Sequence, residues 1–215
     1  EGKITKINLT NMMDDGQRPV ATPVFLYDHT TIFNLGSTVN NGRYLYHSMD
    51  ATMGRDTRKF WLYGGTGNYE RINDVSSLLM DNVLFGFKDE AYPYYREVPW
   101  GPEDNKVDIG DLTQCKDTTD SKTEPCLPTN EDAGWVIHLS NWKKTTAEPT
   151  IYRGHVYYPI YKPDPGENRC VLGSAFVCGV DDECGTNISS ELSGSGSSGE
   201  FADEQCLVVG RGILS

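Results

Sequence analysis

The segment 103–111 is rich in side-chain oxygens, which are the ligands that a hard cation such as Ca²⁺ prefers. Counted from the first aspartate, however, Ile109 stands where an EF-hand loop requires glycine, and Cys115 stands where it requires glutamate. A solvated acidic loop is therefore the alternative interpretation. The candidate metal ligands are Asp104, Asn105, Asp108 and Asp111.

Residues suited to catalysis are scattered and do not form a recognisable motif. The four histidines, His29, His47, His138 and His155, occur singly in strand or turn contexts, where a histidine usually serves packing or the surface. The glycines of segment 64–67 are not followed by the lysine and helix of a phosphate loop, which favours a role in turning the backbone. No Gly-x-Ser-x-Gly elbow is present. We therefore predict that the chain is not an enzyme.

Six cysteines lie in the second half of the chain, and no two have the Cys-x-x-Cys spacing of zinc or thioredoxin sites. An even number beside Pro, Gly and Ser favours disulfides in an oxidising compartment, with buried free thiols as the alternative. Six cysteines allow 15 connectivities. Position in the predicted loops favours three pairs, Cys115 with Cys126, Cys178 with Cys184, and Cys170 with Cys206.

The composition indicates one domain that consists mainly of β-structure. Among 215 residues, 22 are Gly, 11 are Pro and 12 are Tyr, as expected for strands joined by many turns. The formal net charge of −12 argues against general nucleic-acid binding. No apolar run approaches the length of a membrane span, and no signal peptide is present. If the protein is exported, we therefore expect that Glu1 is not its original first residue.

Short runs of β-branched and aromatic residues predict the strands that would position these groups. An Asn-Gly turn at 41–42 predicts a hairpin between 38–39 and 44–46. Segments 92–132 and 185–205 are predicted to be loop insertions, because Pro, Asp, Ser and Gly dominate them. The other predicted strands are Lys3–Asn8, Val20–Tyr27, Phe60–Tyr63, Asn82–Lys88, Gly134–Leu139 and Cys206–Gly210.

The clearest pattern is that of one β-propeller blade, which begins at Ala147. Two apolar runs, 150–152 and 155–159, flank an Arg-Gly turn, and a third run, 175–180, ends in an acidic turn and Gly185. A blade cannot bury both of its faces alone, so this pattern predicts neighbouring blades packed against it.

Aromatic residues in the first predicted insertion are candidates for surface recognition. Aromatic side chains in loops supply a large contact area at a low cost in conformational entropy. The alternative interpretation is that these rings cover an exposed blade edge. The candidates are Tyr92, Tyr94, Tyr95 and Trp100.

The order of these motifs resembles the C-terminal β-propeller of the PilC/PilY family, the tip-associated proteins of bacterial type IV pili. Trp61–Tyr69 resembles that family's "VYFGTGRY" strand, and Leu84–Asp89 resembles its "YGIKD" strand. Cys170 occupies the position of a family loop cysteine, whereas Cys178 is an addition to the family's blade. The other segments that carry the resemblance are Glu1–Ile7, Asp111–Leu112, Gly134–Leu139, Ala147–Pro163 and Val209–Ile213.

The resemblance implies that residues 1–215 are one C-terminal β-propeller portion of a longer chain. It places the family's calcium loop upstream of Glu1, so no cofactor is expected within this segment. It further implies a non-enzymatic role in surface adhesion and pilus assembly, at the cell surface or pilus tip. The expected partners are minor pilins, the upstream part of the same protein, and a host or abiotic surface. A quinoprotein-type propeller oxidoreductase and a purely structural outer-membrane scaffold are the alternatives.

Overall fold

The computed structural model describes residues 2–9, 28–68, 70, 72, 80–93, 106–114, 132–139, 142–166, 172–185 and 206–213. These residues form thirteen strands, and a 3₁₀ turn at Ile109–Asp111. The prediction of an all-β fold is therefore confirmed. The first seven strands are β1 (Lys3–Asn8), β2 (Asp28–Asn34), β3 (Asp50–Met53), β4 (Phe60–Gly65), β5 (Asn82–Asp89), β6 (Val107–Asp108) and β7 (Thr113–Gln114). The remaining six are β8 (Gly134–Leu139), β9 (Lys144–Thr145), β10 (Thr150–Tyr152), β11 (His155–Lys162), β12 (Ser174–Asp181) and β13 (Cys206–Arg211).

The described strands are arranged in three sheets. The first has the order β1-β2-β6, the second β3-β4-β5-β8-β7, and the third β10-β11-β12-β13 with the short strand β9 also paired to β11. Within the second and third sheets, β3-β4-β5-β8 and β10-β11-β12-β13 are four-stranded and antiparallel throughout. The short strands β6 and β7 pair in parallel with β2 and β8.

The third sheet has the strand order that the sequence predicts for the Ala147 blade. Strands β10 and β11 are joined by Arg153 and Gly154, which have φ of 53° and 84°. Two successive residues with positive φ are typical of a tight type I′ hairpin turn. The prediction of strand, turn, strand, loop and strand is therefore confirmed, whereas the partial β-propeller to which this blade would belong stays a prediction.

The second sheet is central, because a hydrophobic core lies on each of its faces. On one face, Trp61, Tyr63 and Trp135 pack against side chains of the third sheet such as Tyr158. On the other face, residues of β5 and β8 pack against Phe33 and other residues of the first sheet. Burial on both faces explains why every residue of β5 is buried.

The turn predicted at Asn41 and Gly42 is present, but the two hairpin strands predicted on either side of it are wrong. The structure has a turn at 39–41 but no strand between Asn34 and Asp50. The side chain of Asn41 explains the difference, because its Oδ1 accepts hydrogen bonds from the backbone of Thr38 (2.9 Å) and Arg43 (3.2 Å). Such local bonds compete with a β-ladder for the same backbone groups.

The predicted insertion 92–132 is not wholly a loop. Strands β6 and β7 both come from it, and Leu112 between them is buried in the core beside the first sheet. The rest of that insertion, apart from residues 92–93, 106–114 and 132, lies outside the described residues, as do residues 186–205 and the strand predicted at Val20–Tyr27.

The cysteine pairing in the structure differs from the favoured one. Cys178 and Cys206 lie directly opposite each other on β12 and β13 and form a disulfide, so the pairs Cys178–Cys184 and Cys170–Cys206 are wrong. Cys178 points into the core between the sheets, whereas Cys184 lies in the following turn with its Sγ 3.2 Å from Oδ1 of Asp181. Cys115, Cys126 and Cys170 lie outside the described residues.

Candidate functional site

A cleft of about 430 Å³ opens beside the start of β1. Its size is within the usual range for small-ligand pockets. The lining comes from the residue that precedes β1, from the loop between β2 and β3, and from the segment that follows β4. We call this cavity the Tyr44 cleft; it is lined by Gly2, Val39, Tyr44, Leu45, Tyr46, Asn68 and Glu70.

Backbone and side-chain hydrogen bonds hold the walls of the Tyr44 cleft together. The backbone N–H of Gly67 donates to the carbonyl of Tyr44 (3.1 Å), which ties the two main walls to each other. The side chain of Asn68 accepts a hydrogen bond from the backbone N–H of Glu70 (3.0 Å). The rings of Tyr44 and Tyr46 lie 6.5 Å apart, with their planes at 75°.

An ionic network under this loop connects Arg43, Asp81 and His138. Arg43 forms an ion pair with the carboxylate of Asp81 and also donates to the backbone carbonyls of Asp81 (3.0 Å) and Leu35 (3.2 Å). Nδ1 of His138 lies 2.6 Å from the other oxygen of Asp81. Burial opposes ionisation of Asp81, but the hydrogen bonds from His138 and Arg43 outweigh it and lower the pKa of that carboxyl. The sequence predicts no acidic partner for His138, and the structure provides one in Asp81.

A second polar feature is the acidic turn after β12, which joins the third sheet to the central one. The carboxylate of Glu183 accepts hydrogen bonds from the backbone N–H groups of Asp56 (2.8 Å) and Thr57 (2.7 Å), in the loop between β3 and β4. The backbone carbonyl of Asp182 accepts a hydrogen bond from the indole N–H of Trp135 (2.9 Å). The sequence predicts a polar turn at Asp181–Glu183, and the structure shows that Asp182 and Glu183 in this turn are buried.

Adjacent carboxyls in this turn have opposite pKa shifts. Burial, followed by the charges of Asp181 and Glu183, raises the pKa of Asp182, whose Oδ1 accepts no hydrogen bond from the described residues. Burial also opposes ionisation of Glu183, but its hydrogen bonds from Thr57 and Asp56 outweigh burial and lower its pKa. Burial and the nearby Asp182 raise the pKa of Tyr63, which keeps its hydroxyl neutral. The turn therefore uses Glu183 as its ionised anchor.

Replacing Glu183 with Gln is expected to lower the free energy of unfolding by about 1–2 kcal/mol at neutral pH. The amide has no charge and only one acceptor oxygen for two buried N–H groups. Because the folded pKa of Glu183 is lowered, its stabilising effect is present above the usual value of 4.5 and is lost as the pH falls through the folded pKa. The difference between wild type and variant should therefore narrow below about pH 4.5, as measured by urea unfolding.

Glu90→Gln is the matched control for this measurement. Glu90 forms an ion pair with Lys59 at the surface, where both side chains are about one-third exposed. We expect it to change the free energy of unfolding by less than about 1 kcal/mol. Equal effects of the two substitutions, or a Glu183→Gln effect that does not change with pH, would contradict the role of Glu183 as a charged anchor.

The described members of the predicted metal set are held in other contacts. Asp108 accepts a hydrogen bond from the amide of Asn34 (2.7 Å) and lies 3.2 Å from the ammonium of Lys106. Asp111 accepts a hydrogen bond from the backbone N–H of Asp108 (2.8 Å). Asp104 and Asn105 lie outside the described residues, and the described part of the chain has no grouping of three or more His, Cys, Asp or Glu suited to a metal ion. These contacts position the short 3₁₀ turn against β2.

Of the predicted recognition aromatics, the structure describes Tyr92. Its ring is stacked on Phe60 of β4, with centroids 4.1 Å apart, and 47% of the residue is exposed. Phe60 belongs to an interior strand of the second sheet, so surface recognition and the covering of a blade edge both stay predictions for Tyr92. Tyr94, Tyr95 and Trp100 lie outside the described residues.

The glycines of segment 64–67 have a different purpose from the predicted one. Gly64 and Gly65 end strand β4, and neither has a positive φ. A Cβ at Gly64 would lie 2.5 Å from the ring of Phe85, and one at Gly65 would lie 2.3 Å from the side chain of Thr145. These glycines therefore make room for neighbouring side chains rather than turn the backbone.

The residues of the Tyr44 cleft are not among the candidates that the sequence predicts. The Tyr-x-Tyr spacing at 44–46 predicts part of a strand, in which both rings would share one sheet face. The available signal was the combination of this spacing with the Gly-rich segment and Glu70. Only the fold brings the two segments together.

The described residues thus define a β-rich protein with three stacked sheets and a cleft beside the start of β1. Within these residues, no helix is long and apolar enough to cross a membrane. No protein-family model matches the chain, and no curated protein matches it. Among solved structures, the crystal structure of the Pseudomonas aeruginosa PilY1 C-terminal domain is similar, with 14% sequence identity and a TM-score of 0.48. The match covers 75% of this chain and 37% of that chain. The chain therefore spans just over one-third of the structure that it matches.

Proposed function

We propose that the chain is a C-terminal β-propeller portion of a type IV pilus tip-associated protein that acts in surface adhesion and pilus assembly. The observation that supports it is the position of the family-like motifs in the fold. Four of the segments that resemble the PilC/PilY strands lie in β4, β5, β8 and β10–β11. These strands belong to two four-stranded antiparallel arrays that pack face to face, as adjacent propeller blades do.

In this proposal the stacked sheets form a rigid platform, and the loops at their edges recognise the partner. Loops on a rigid scaffold commonly carry binding residues. The buried disulfide between β12 and β13 is consistent with an extracellular, oxidising environment. The proposed partners are minor pilins at the pilus tip, the upstream part of the same protein, and a host or abiotic surface. No catalytic step is proposed.

Deletion of the gene from the bacterium that encodes it tests this function. We expect fewer surface pili by electron microscopy, smaller twitching zones, and weaker attachment to glass or host cells. Complementation with the wild-type gene should restore all three properties. Loss of attachment with normal pilus numbers would assign the protein to adhesion alone. Normal piliation, twitching and attachment in the deletion strain would refute the proposal.

A further inference from the structure

The Tyr44 cleft combines features that select for a particular ligand charge. Its two tyrosines lie at a steep angle to each other, and Tyr46 is 47% exposed. The negative face of an aromatic ring attracts a cation, and two rings at an angle allow one cation to approach both π systems. The aromatic wall of the cleft is therefore suited to a positively charged group.

The charge of the lining agrees with this aromatic arrangement. Glu70 is exposed and is the charged residue among the described residues that line the cleft. Three Lys or Arg residues adjoin lining residues in the sequence. Arg43 is occupied by its ion pair with Asp81 and its bonds to two backbone carbonyls. Lys3 is exposed at the start of β1, and Arg71 lies outside the described residues. The net charge of −12 also raises the local concentration of cations.

A neutral sugar fits the cleft less well. Recognition of hydroxyl groups requires several correctly placed hydrogen-bonding side chains in addition to an aromatic surface. The amide of Asn68 already accepts a hydrogen bond from Glu70, and the residue is only 8% exposed. Among the described residues, the lining side chains other than Asn68, Glu70 and the tyrosines are Val39 and Leu45, which have no polar atoms.

We propose that the Tyr44 cleft binds a small organic ammonium group, with Glu70 as the counter-ion and the rings of Tyr44 and Tyr46 as the walls. The ligand chemistry is that of a quaternary or alkylated amine, whose diffuse charge and apolar surface suit an aromatic site. The proposal is independent of the pilus function, because it depends only on residues of this cleft.

Isothermal titration of the full 215-residue chain with choline chloride tests the proposal directly. We expect saturable binding with one site. The neutral isostere 3,3-dimethylbutan-1-ol, which replaces the nitrogen by carbon, should bind about tenfold more weakly. Methyl glucoside is the probe for the competing ligand class. Equal binding of choline and its isostere, or binding of the glucoside without choline, would overturn the proposal.

Two variants locate the binding at this cleft. Glu70→Gln preserves the shape of the side chain but removes its charge, and Tyr46→Leu removes one ring; each should weaken choline binding about tenfold. Tyr152→Leu is the matched control, because Tyr152 is an exposed tyrosine on β10. This variant should bind choline as tightly as the wild type does. Because Glu70 is exposed, we expect the Glu70→Gln variant to fold. It therefore tests the site even if Tyr46→Leu does not fold. Wild-type affinity in a folded Glu70→Gln variant would refute the site.

Discussion

Replacing Trp135 with Ala is expected to lower the free energy of unfolding by about 3–5 kcal/mol. Trp135 is 1% exposed and lies between two sheets, where it packs against Tyr63 of the central sheet and Tyr158 of the third. Alanine would leave a cavity in this core. It would also remove the hydrogen bond that the indole N–H donates to the backbone carbonyl of Asp182. The measurement is the urea concentration at the midpoint of unfolding, with the slope checked for a change in cooperativity.

Trp135→Phe separates the two contributions to this effect. Phenylalanine retains an aromatic ring but loses the hydrogen bond to Asp182, so its effect should lie between those of wild type and Trp135→Ala. Tyr152→Ala is the exposed control: 57% of Tyr152 is exposed, and its removal should cost less than about 1 kcal/mol. If Trp135→Ala proved as mild as Tyr152→Ala, the described packing between the two sheets would be wrong.

Replacing Cys178 and Cys206 together with Ala is expected to lower the free energy of unfolding by about 3–4 kcal/mol. The two cysteines are 28 residues apart, so their disulfide closes a loop that restricts the unfolded chain. Part of the expected loss also comes from the core, because both residues belong to the cluster between the central and third sheets. Urea unfolding of the double variant and the wild type, both without reductant, gives the difference.

Cys184→Ala is the control for the disulfide prediction, because Cys184 lies in the turn outside this disulfide. Its effect should be below about 1 kcal/mol. Non-reducing peptide mapping of the wild type provides a second readout and should recover one peptide pair that contains Cys178 and Cys206. Recovery of a Cys178–Cys184 link would show that the pairing in the structure is incorrect.

The strands were predictable where the sequence pattern is local. The runs at Lys3–Asn8 and Gly134–Leu139 are strands with the predicted bounds, and the Arg-Gly turn forms the hairpin between β10 and β11. In these segments, the β-branched and aromatic residues favour a pleated conformation, and the turn residues tolerate positive φ. The Asn-Gly turn was different, because the side chain of Asn41 competes for the backbone bonds that a hairpin needs.

The polar sites were not predictable, because they depend on residues far apart in the chain. Asp81 and His138 are 57 positions apart and meet only because β5 pairs with β8. Glu183 and Thr57 are 126 positions apart and meet only where the third sheet packs on the central one. The cysteine pairing depends likewise on the register of β12 with β13. Sequence spacing alone contains none of these registers.

The burial of β5 on both faces also restricts how its strand can align. Val83, Phe85 and Phe87 belong to the core beside the first sheet, whereas Leu84 belongs to the core beside the third. Gly86 shares the Leu84 face, and a Cβ there would lie 2.7 Å from the ring of Trp135. A shift of one residue would exchange the two faces and push large rings into the space that Gly86 leaves open. The glycine between two phenylalanines in this strand therefore favours the observed register over registers that are shifted by one residue.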